Sequence, residues 1–172
     1  VLSDLGWLKR ASFVGLVTPQ GTVTPGAMPA KSKAEVLSDL GMKSFQTGET
    51  DKGIDYFQQG LKLVEGDDSE QSLLVTLLMN LGVAMTVKGD LAASVEYLER
   101  ALGIEEKING ASSPALVGPL QNLTVVCTKL GDAAKAARYM ARAGEIEAQS
   151  KMDAKIKELE GDKGATIEEV KE

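Results

Sequence analysis

Apolar residues recur along this chain in paired runs at three- and four-residue spacing. Val36, Leu37 and Leu40 form the first run, Leu74, Leu77, Leu78 and Leu81 its counterpart further on, and Leu116, Leu120 and Leu123 a third. Each is followed by a glycine-centred break and a second run: Ile54, Phe57 and Leu61; Val95, Leu98 and Leu102; Ala136, Met140 and Ala143. Such spacing predicts amphipathic helices, and two helices joined by a short glycine turn pack antiparallel. The turn glycines Gly48, Gly89 and Gly131 stand 41 and 42 residues apart. A constant period in this range predicts stacked helical hairpins, here at about residues 33–65, 70–107 and 114–148. The predicted class is all-α. Repeats of this sort make surfaces that hold other chains, which argues for binding over chemistry.

Local signals refine the pattern. Asp90 and Asp132 directly follow turn glycines, where a carboxylate accepts from free backbone N–H groups and meets the positive helix end, worth about 1 kcal/mol each. Gly82, Ala84, Ala101 and Ala143 are small enough for close helix approach, Gly at a helix-propensity cost of roughly 1 kcal/mol against Ala. Ser113-Pro114 is a helix start signal. Pro119 then falls inside the helix, where its missing donor predicts a kink in preference to a late start. After Ala143-Gly144 nothing interrupts the chain until Gly161, and Ile146, Met152, Ile156 and Leu159 keep an apolar stripe. One long last helix, or a bent pair, is expected to cover the end of the stack, with residues 149–172 as capping helix and tail. Thr166 with Glu169 forms a weak capping box that predicts a final turn or two at 167–171.

The copies themselves have a recognisable order: Leu-Gly, a residue three positions on, Gly-Asp, Ser or Ala, a large apolar residue, and Ala three later. Leu81, Gly82, Met85, Gly89, Asp90, Ser94, Leu98 and Ala101 hold these places in the middle copy. Leu123, Cys127, Gly131, Asp132, Ala136, Met140 and Ala143 hold them in the third, and Gly53, Phe57 and Gly60 are the small, large and small residues of the loosest, first copy. This resembles the tetratricopeptide (TPR) pattern, with Met85 and Leu98 in place of its aromatic residues. The period near 42 exceeds the 34 of the ordinary repeat and is similar to the long variety in kinesin light chains, down to Ser113-Pro114. The resemblance implies a short TPR solenoid of about three repeats plus a C-terminal helix, and it is specific for fold, poor for function.

Composition removes several function classes. The 172 residues are 43% hydrophobic and 26% charged, enough for one domain with a core. No apolar run approaches the roughly 18 residues of a membrane span, so a soluble or peripheral chain is expected. There is no His, which removes imidazole-based serine, cysteine or metal chemistry. A single Cys removes both an internal disulfide and a thiolate zinc cage. Cys127 occupies the place of Met85 one repeat on and reads as a buried apolar residue; the alternative, a reactive thiol, needs a cationic neighbour, and only Lys129 is near in sequence. Asp67-Asp68, Glu105-Glu106 and Glu168-Glu169 lie in polar runs near helix ends, with nothing apolar around them to raise a pKa, and read as solvated or capping charges. No glycine loop cradles a phosphate, since the turn glycines are isolated and followed by acidic residues. Net charge of −6 argues against generic nucleic-acid binding. With no nucleophile–base pair or cofactor motif, neither an enzyme nor a cofactor is expected.

The charge is uneven. Residues 1–31 carry Lys9, Arg10 and Lys31 against Asp4, a net +2, which leaves −8 on residues 32–172. This segment also holds Pro19, Pro25 and Pro29 of the five prolines, two Thr-Pro steps and the only Trp, features of an extended path. Its expected role is a partner-binding anchor built from Leu5, Trp7, Leu8, Lys9, Arg10 and Phe13, with Val1 and Leu2, followed by a tether to Met28. Two alternatives stand beside it: a flexible leader, or a segment that folds into the chain's own acidic groove.

In stacked hairpins the first helix of each pair lines the concave face, which assigns the groove to Ser38 and Met42, Met79 and Val83, and Gln121 and Val125, with Asn80 and Asn122 alongside. The chaperone-tail binders of the family place Lys and Asn there to grip a terminal carboxylate; this chain has Ser38, Met42, Met79 and Val83 instead, so the carboxylate clamp does not carry over. An apolar, Met-containing groove suits an amphipathic helix or an extended apolar peptide, unless three copies curve too little and these positions are inter-repeat core. The expected function is a non-enzymatic scaffold, an accessory subunit or assembly factor of a multi-subunit protein complex; the alternative is a regulatory adaptor that binds a target transiently. Membrane contact is expected only through a partner. The start at Val1 fits removal of a targeting peptide, and equally an incomplete start. The former places the chain in an organelle, a chloroplast in preference to a mitochondrion.

Overall fold

Glycine turns set the architecture. At each expected hairpin a glycine adopts the left-handed conformation, as Gly89 does at φ 91°, and the next residue's N–H reaches back over the helix end. Glu49 N bonds Ser44 O at 2.9 Å, Asp90 N bonds Met85 O at 3.0 Å, and Asp132 N bonds Cys127 O at 2.9 Å. All three are the same helix-stop geometry, which satisfies carbonyls that would otherwise be orphaned. The two aspartates then cap the following helices: Asp90 Oδ1 accepts from Ala93 N at 3.1 Å and Asp132 Oδ1 from Lys135 N at 3.0 Å.

The computed structural model describes residues 31–168, with side chains described to residue 160. Its helices are α1 (Lys33–Gln46), α2 (Thr50–Val64), α3 (Gln71–Lys88), α4 (Leu91–Asn109), α5 (Val117–Leu130) and α6 (Ala133–Glu168), with single 3₁₀ turns at Asp68–Glu70 and Pro114–Leu116. No strand occurs among the described residues. Sequential helices pack as neighbours throughout, α1 on α2, α2 on α3 and so on to α5 on α6. In addition α1 touches α3 and α3 touches α5, whereas the even-numbered helices lack comparable contact. The odd layer is therefore the inner, concave one.

Even-numbered helices are bridged instead by long side chains. Arg100 Nη2 meets Glu65 Oε1 at 2.7 Å and, one repeat on, Arg142 Nη2 meets Glu106 Oε1 at 2.8 Å. Arg142 also donates to the Ala111 carbonyl at 3.1 Å. The Tyr139 hydroxyl donates to Glu99 at 2.8 Å. These are half-exposed pairs that hold repeat spacing more than they stabilise it.

Glycine notches govern the core. A Cβ added to Gly41 would overlap the ring of Phe57, and one added to Gly82 would lie 2.5 Å from Leu98 Cγ. Phe57 and Leu98 are buried because the helix opposite has no side chain there. Beside the second notch, Ser94 Oγ donates to the Gly82 carbonyl at 2.7 Å and lies 2.7 Å from Thr86 Oγ1, so the polar groups in this packed seam are satisfied. The third copy departs: Thr124 fills the notch, its Oγ1 bonded to the Leu120 carbonyl at 2.8 Å, and Met140 is 63% exposed. Met140 was expected in the core. No described helix covers it, and Thr124 stands where the first two copies have the glycine that makes the slot.

Other expectations fail for equally local reasons. Val36 and Leu40 are exposed, since α1 is the first described helix of the stack and nothing described packs on its outer side. Pro119 causes a late start, not a kink: the 3₁₀ turn absorbs Ser113-Pro114, and Pro119 becomes the third residue of α5, where its absent N–H is one that a helix leaves unpaired anyway. The helix α6 runs through Gly144, residue 149, Gly161 and Thr166 without a break, so Thr166 opens no new helix; residues 169–171 lie outside the described residues. Ile146 is buried, but Met152, Ile156 and Leu159 are exposed. At 1.5 Å per residue α6 is about 54 Å long against about 21 Å for α5, and beyond residue 150 it keeps Asp153, Ala154 and Lys157 beside Ser112 and Pro114 while its described apolar residues stay exposed.

One helical segment, Asp68–Lys88, is long and apolar enough to cross a membrane by length and composition, where the sequence pointed to none. Its apolarity has another cause. The helix α3 is central, so Leu77, Leu78 and Leu81 are fully buried between α2 and α4, and its apolar residues lie on every side instead of in one stripe.

Candidate functional site: the concave face

Three inner helices bring the expected groove residues together in part. Met42 from α1 and Met79 and Val83 from α3 line one concavity of about 290 Å³ with Phe45, Phe57, Asn80 and Asn122. Met79 reaches across to α5, its Cε 3.6 Å from where a Cβ of Gly118 would stand. The small residue on α5 lets the thioether bridge two repeats. Val125 stands one turn beyond Gln121 on α5 and is 52% exposed. Gln121 is exposed but engaged, its Nε2 donating to Glu147 Oε1 of α6 at 3.1 Å.

Ser38 does not belong to this surface. It is 7% exposed and lies on the packed side of α1 with Ala34, Leu37 and Gly41. Ser38 and Gly41 are small residues of this buried side, and Gly41 is where the Phe57 ring of α2 packs. Phe45 was missed in the sequence, although its place three residues after Met42 puts it on the same face. The proposed anchor residues Leu5, Trp7, Leu8, Lys9, Arg10 and Phe13 lie outside the described residues.

Asn80 and Asn122 give the apolar concavity its polar content. They occupy the same place in successive repeats, both half-buried, and among the described residues neither side chain makes a hydrogen bond. A carboxamide carries two donors and an acceptor, so the second and third repeats each present one protein-unbonded donor–acceptor group beside a Met/Val lining, where the first repeat has Asp39.

Reactive chemistry is absent from this face. Cys127 is buried on α5, and burial pushes its thiol above the ordinary value, the nearby Asp132 adding to the effect and Lys135 only partly opposing it. The cation the thiol meets is thus Lys135, not Lys129, and it is outweighed. Asp67, of the first acidic pair, caps the 3₁₀ turn: its Oδ1 accepts from Ser69 N at 2.9 Å and Ser69 Oγ at 2.6 Å, the hydroxyl bond chiefly lowering its pKa. Glu105 accepts from Asn109 and Glu106 from Arg142. Among the described residues no group of three or more His, Cys, Asp or Glu could hold a metal ion.

Comparison with known folds places this arrangement. The crystal structure of BtubC (BKLC) from P. vanneervenii superposes with a TM-score of 0.65 at 19% identity, over 71% of this chain and 50% of that one. The nearly identical TPR-like repeats of the kinesin light chain type from Podosopora anserina superpose with a TM-score of 0.62 at 18% identity, over 72% of this chain and 59% of that one, and a point variant of the same repeats does likewise. The fold is that of a TPR-like solenoid. The chain spans about half the length of these structures. No family model matches the sequence, and no curated protein does.

Proposed function

We infer that this TPR-like protein is a non-enzymatic scaffold whose concave face holds an apolar segment of another protein, and that it serves as a small accessory subunit or assembly factor of a larger, organellar complex. What supports the reading is the joining of Met42, Met79 and Val83 in one concavity with the unbonded carboxamides of Asn80 and Asn122. Flexible thioethers adapt to varied apolar side chains. Two carboxamides one repeat apart suit an extended segment, whose backbone still needs partners, better than a helix, whose backbone is satisfied. Each group is neutral, so the contact is insensitive to salt, as a permanent subunit requires.

The test places a photo-cross-linker at Val83 and, as control, at the outer-face Glu96, in the full chain within its native extract. A single partner captured from Val83 alone, retained at high salt and lost on Met79→Glu or on Asn80→Ala with Asn122→Ala, supports the reading. A partner that leaves at high salt and rebinds makes the protein a transient adaptor. A partner indifferent to all these substitutions refutes the concave face as the site.

A further inference from the structure

Two surfaces of α6 are orphaned, and each has what the other lacks. In the first repeat, Ile54, Phe57 and Leu61 of α2 are covered by α3; in the second, Leu98 and Leu102 of α4 are covered by α5. The corresponding residues of α6 are Ala137, Met140 and Gly144, all exposed. This is the surface that forms the inter-repeat interface in the earlier repeats, and no described helix lies on it. Further along α6, Met152, Ile156 and Leu159 are 58%, 47% and 53% exposed, while Asp153, Ala154 and Lys157 of the same stretch line a shallow concavity with Ser112 and Pro114. The first surface is a shallow strip of small residues around one methionine. The second is a ridge of large ones.

The two are related by a centre. Ala137, Met140, Gly144, Ala148, Met152, Ile156 and Leu159 form one line along the helix, six turns in 22 residues, or about 3.67 residues per turn. Turned end for end about Ala148, the line sets Ala137 against Leu159, Met140 against Ile156, Gly144 against Met152, and Ala148 against itself. Small Ala137 and Gly144 face large Leu159 and Met152, Met140 meets Ile156 between them, and the small Ala148 meets its own copy at the centre. Such alternation lets facing layers interdigitate.

We propose that two copies of this chain pair through α6 in antiparallel fashion about Ala148, the projecting half of each α6 covering Ala137, Met140 and Gly144 of the other. The partner's helix takes the place that α3 holds on α2 and α5 holds on α4, with the same antiparallel sense, and closes the stack. The interface is isologous, so it ends at a dimer and does not propagate. The spacing, slightly above the 3.6 of a straight helix, gives the pair a right-handed crossing.

The full chain is followed by sedimentation equilibrium from low-micromolar to millimolar concentration. The mass is expected to double from 18.2 kDa. Ile156→Lys, at an exposed position, keeps the helical circular dichroism and loosens the dimer by about a hundredfold, because each substitution enters the interface twice at about tenfold each. Under mild oxidation Ala148→Cys links to itself, and a mixture of Met140→Cys and Ile156→Cys chains links while neither variant links alone; buried Cys127 stays out of the reaction. A mass that remains that of one chain throughout overturns the proposal, whether α6 is covered by its own chain end or by a different protein. So does a dimer in which Ile156→Cys or Leu159→Cys links to itself, since that pairing is parallel.

Discussion

Replacing Gly82 with Ala should destabilise the protein, although Ala is the better helix former. A Cβ at this position lies 2.5 Å from Leu98 Cγ, 2.7 Å from Cδ2 and 3.3 Å from Cδ1. The first of these is not a freely moving tip, and Leu98 is fully buried among Leu102, Leu120 and Leu123, so α3 and α4 must separate or Leu98 must leave its rotamer. Overpacking of this kind costs about 1–3 kcal/mol, and with the branched Cγ of a fully buried side chain as the nearest atom the upper end applies. Against it stands a gain of about 1 kcal/mol in helix propensity. The net loss is about 2 kcal/mol, or roughly 6 °C in Tm for a chain of this size. Thermal and urea unfolding monitored by circular dichroism measure it. Leu98→Ala alone costs about 2–5 kcal/mol, but in the Gly82→Ala background it removes the overlap while the helix-propensity gain remains, so the two losses should fall short of additivity by about 3 kcal/mol. Equal or higher stability for Gly82→Ala, or strict additivity, would show that Leu98 does not occupy the notch.

Three further outcomes follow from individual contacts. Gly89→Ala, forced into the left-handed conformation at φ 91°, should cost about 1–2 kcal/mol, whereas Gly103→Ala, helical with open space at its Cβ, should stabilise by up to about 1 kcal/mol; paired urea titrations compare them. Tyr139 is held above its ordinary pKa by burial and then by its bond to Glu99; a raised folded pKa gives stability that is complete below the unfolded value near 10 and is lost as pH rises beyond it, so Tyr139→Phe should flatten the alkaline limb of a stability–pH curve and leave it unchanged at neutral pH apart from the lost hydrogen bond. Arg142→Ala should cost about 1 kcal/mol because it releases both Glu106 and the Ala111 carbonyl, while Lys155→Ala on the projecting part of α6 should change the unfolding midpoint immeasurably.

Much of the repeat was legible because its signals are local. Glycine stops, aspartate caps and the 41- and 42-residue spacing each act within a few residues, and the three hairpins follow from them. The groove was legible through the same periodicity, which carried Met42, Met79 and Val83 to one face without knowledge of the packing. What could not be read locally was which copies have a neighbour. Val36, Leu40 and Met140 carry the hydrophobic marks of core residues and are exposed at the two ends of the described stack. Periodicity reports the face a residue takes, and burial depends on whether another helix arrives there.

One of these failures did have a signal, spread over two helices. Gly41 stands 16 residues before Phe57, Gly82 16 before Leu98, and Thr124 16 before Met140. In the first two copies a missing side chain on the inner helix admits a large one from the outer helix. In the third the notch is filled and the large residue is turned out, while Ala137 and Gly144 replace Val95 and Leu102 on the same outer surface. Loss of the notch and loss of bulk occur together, on a helix that then continues far beyond its own repeat with large apolar residues. A repeat surface meant to face water would carry charge at these places. This one carries small apolar residues and a methionine, a surface shaped to receive another helix.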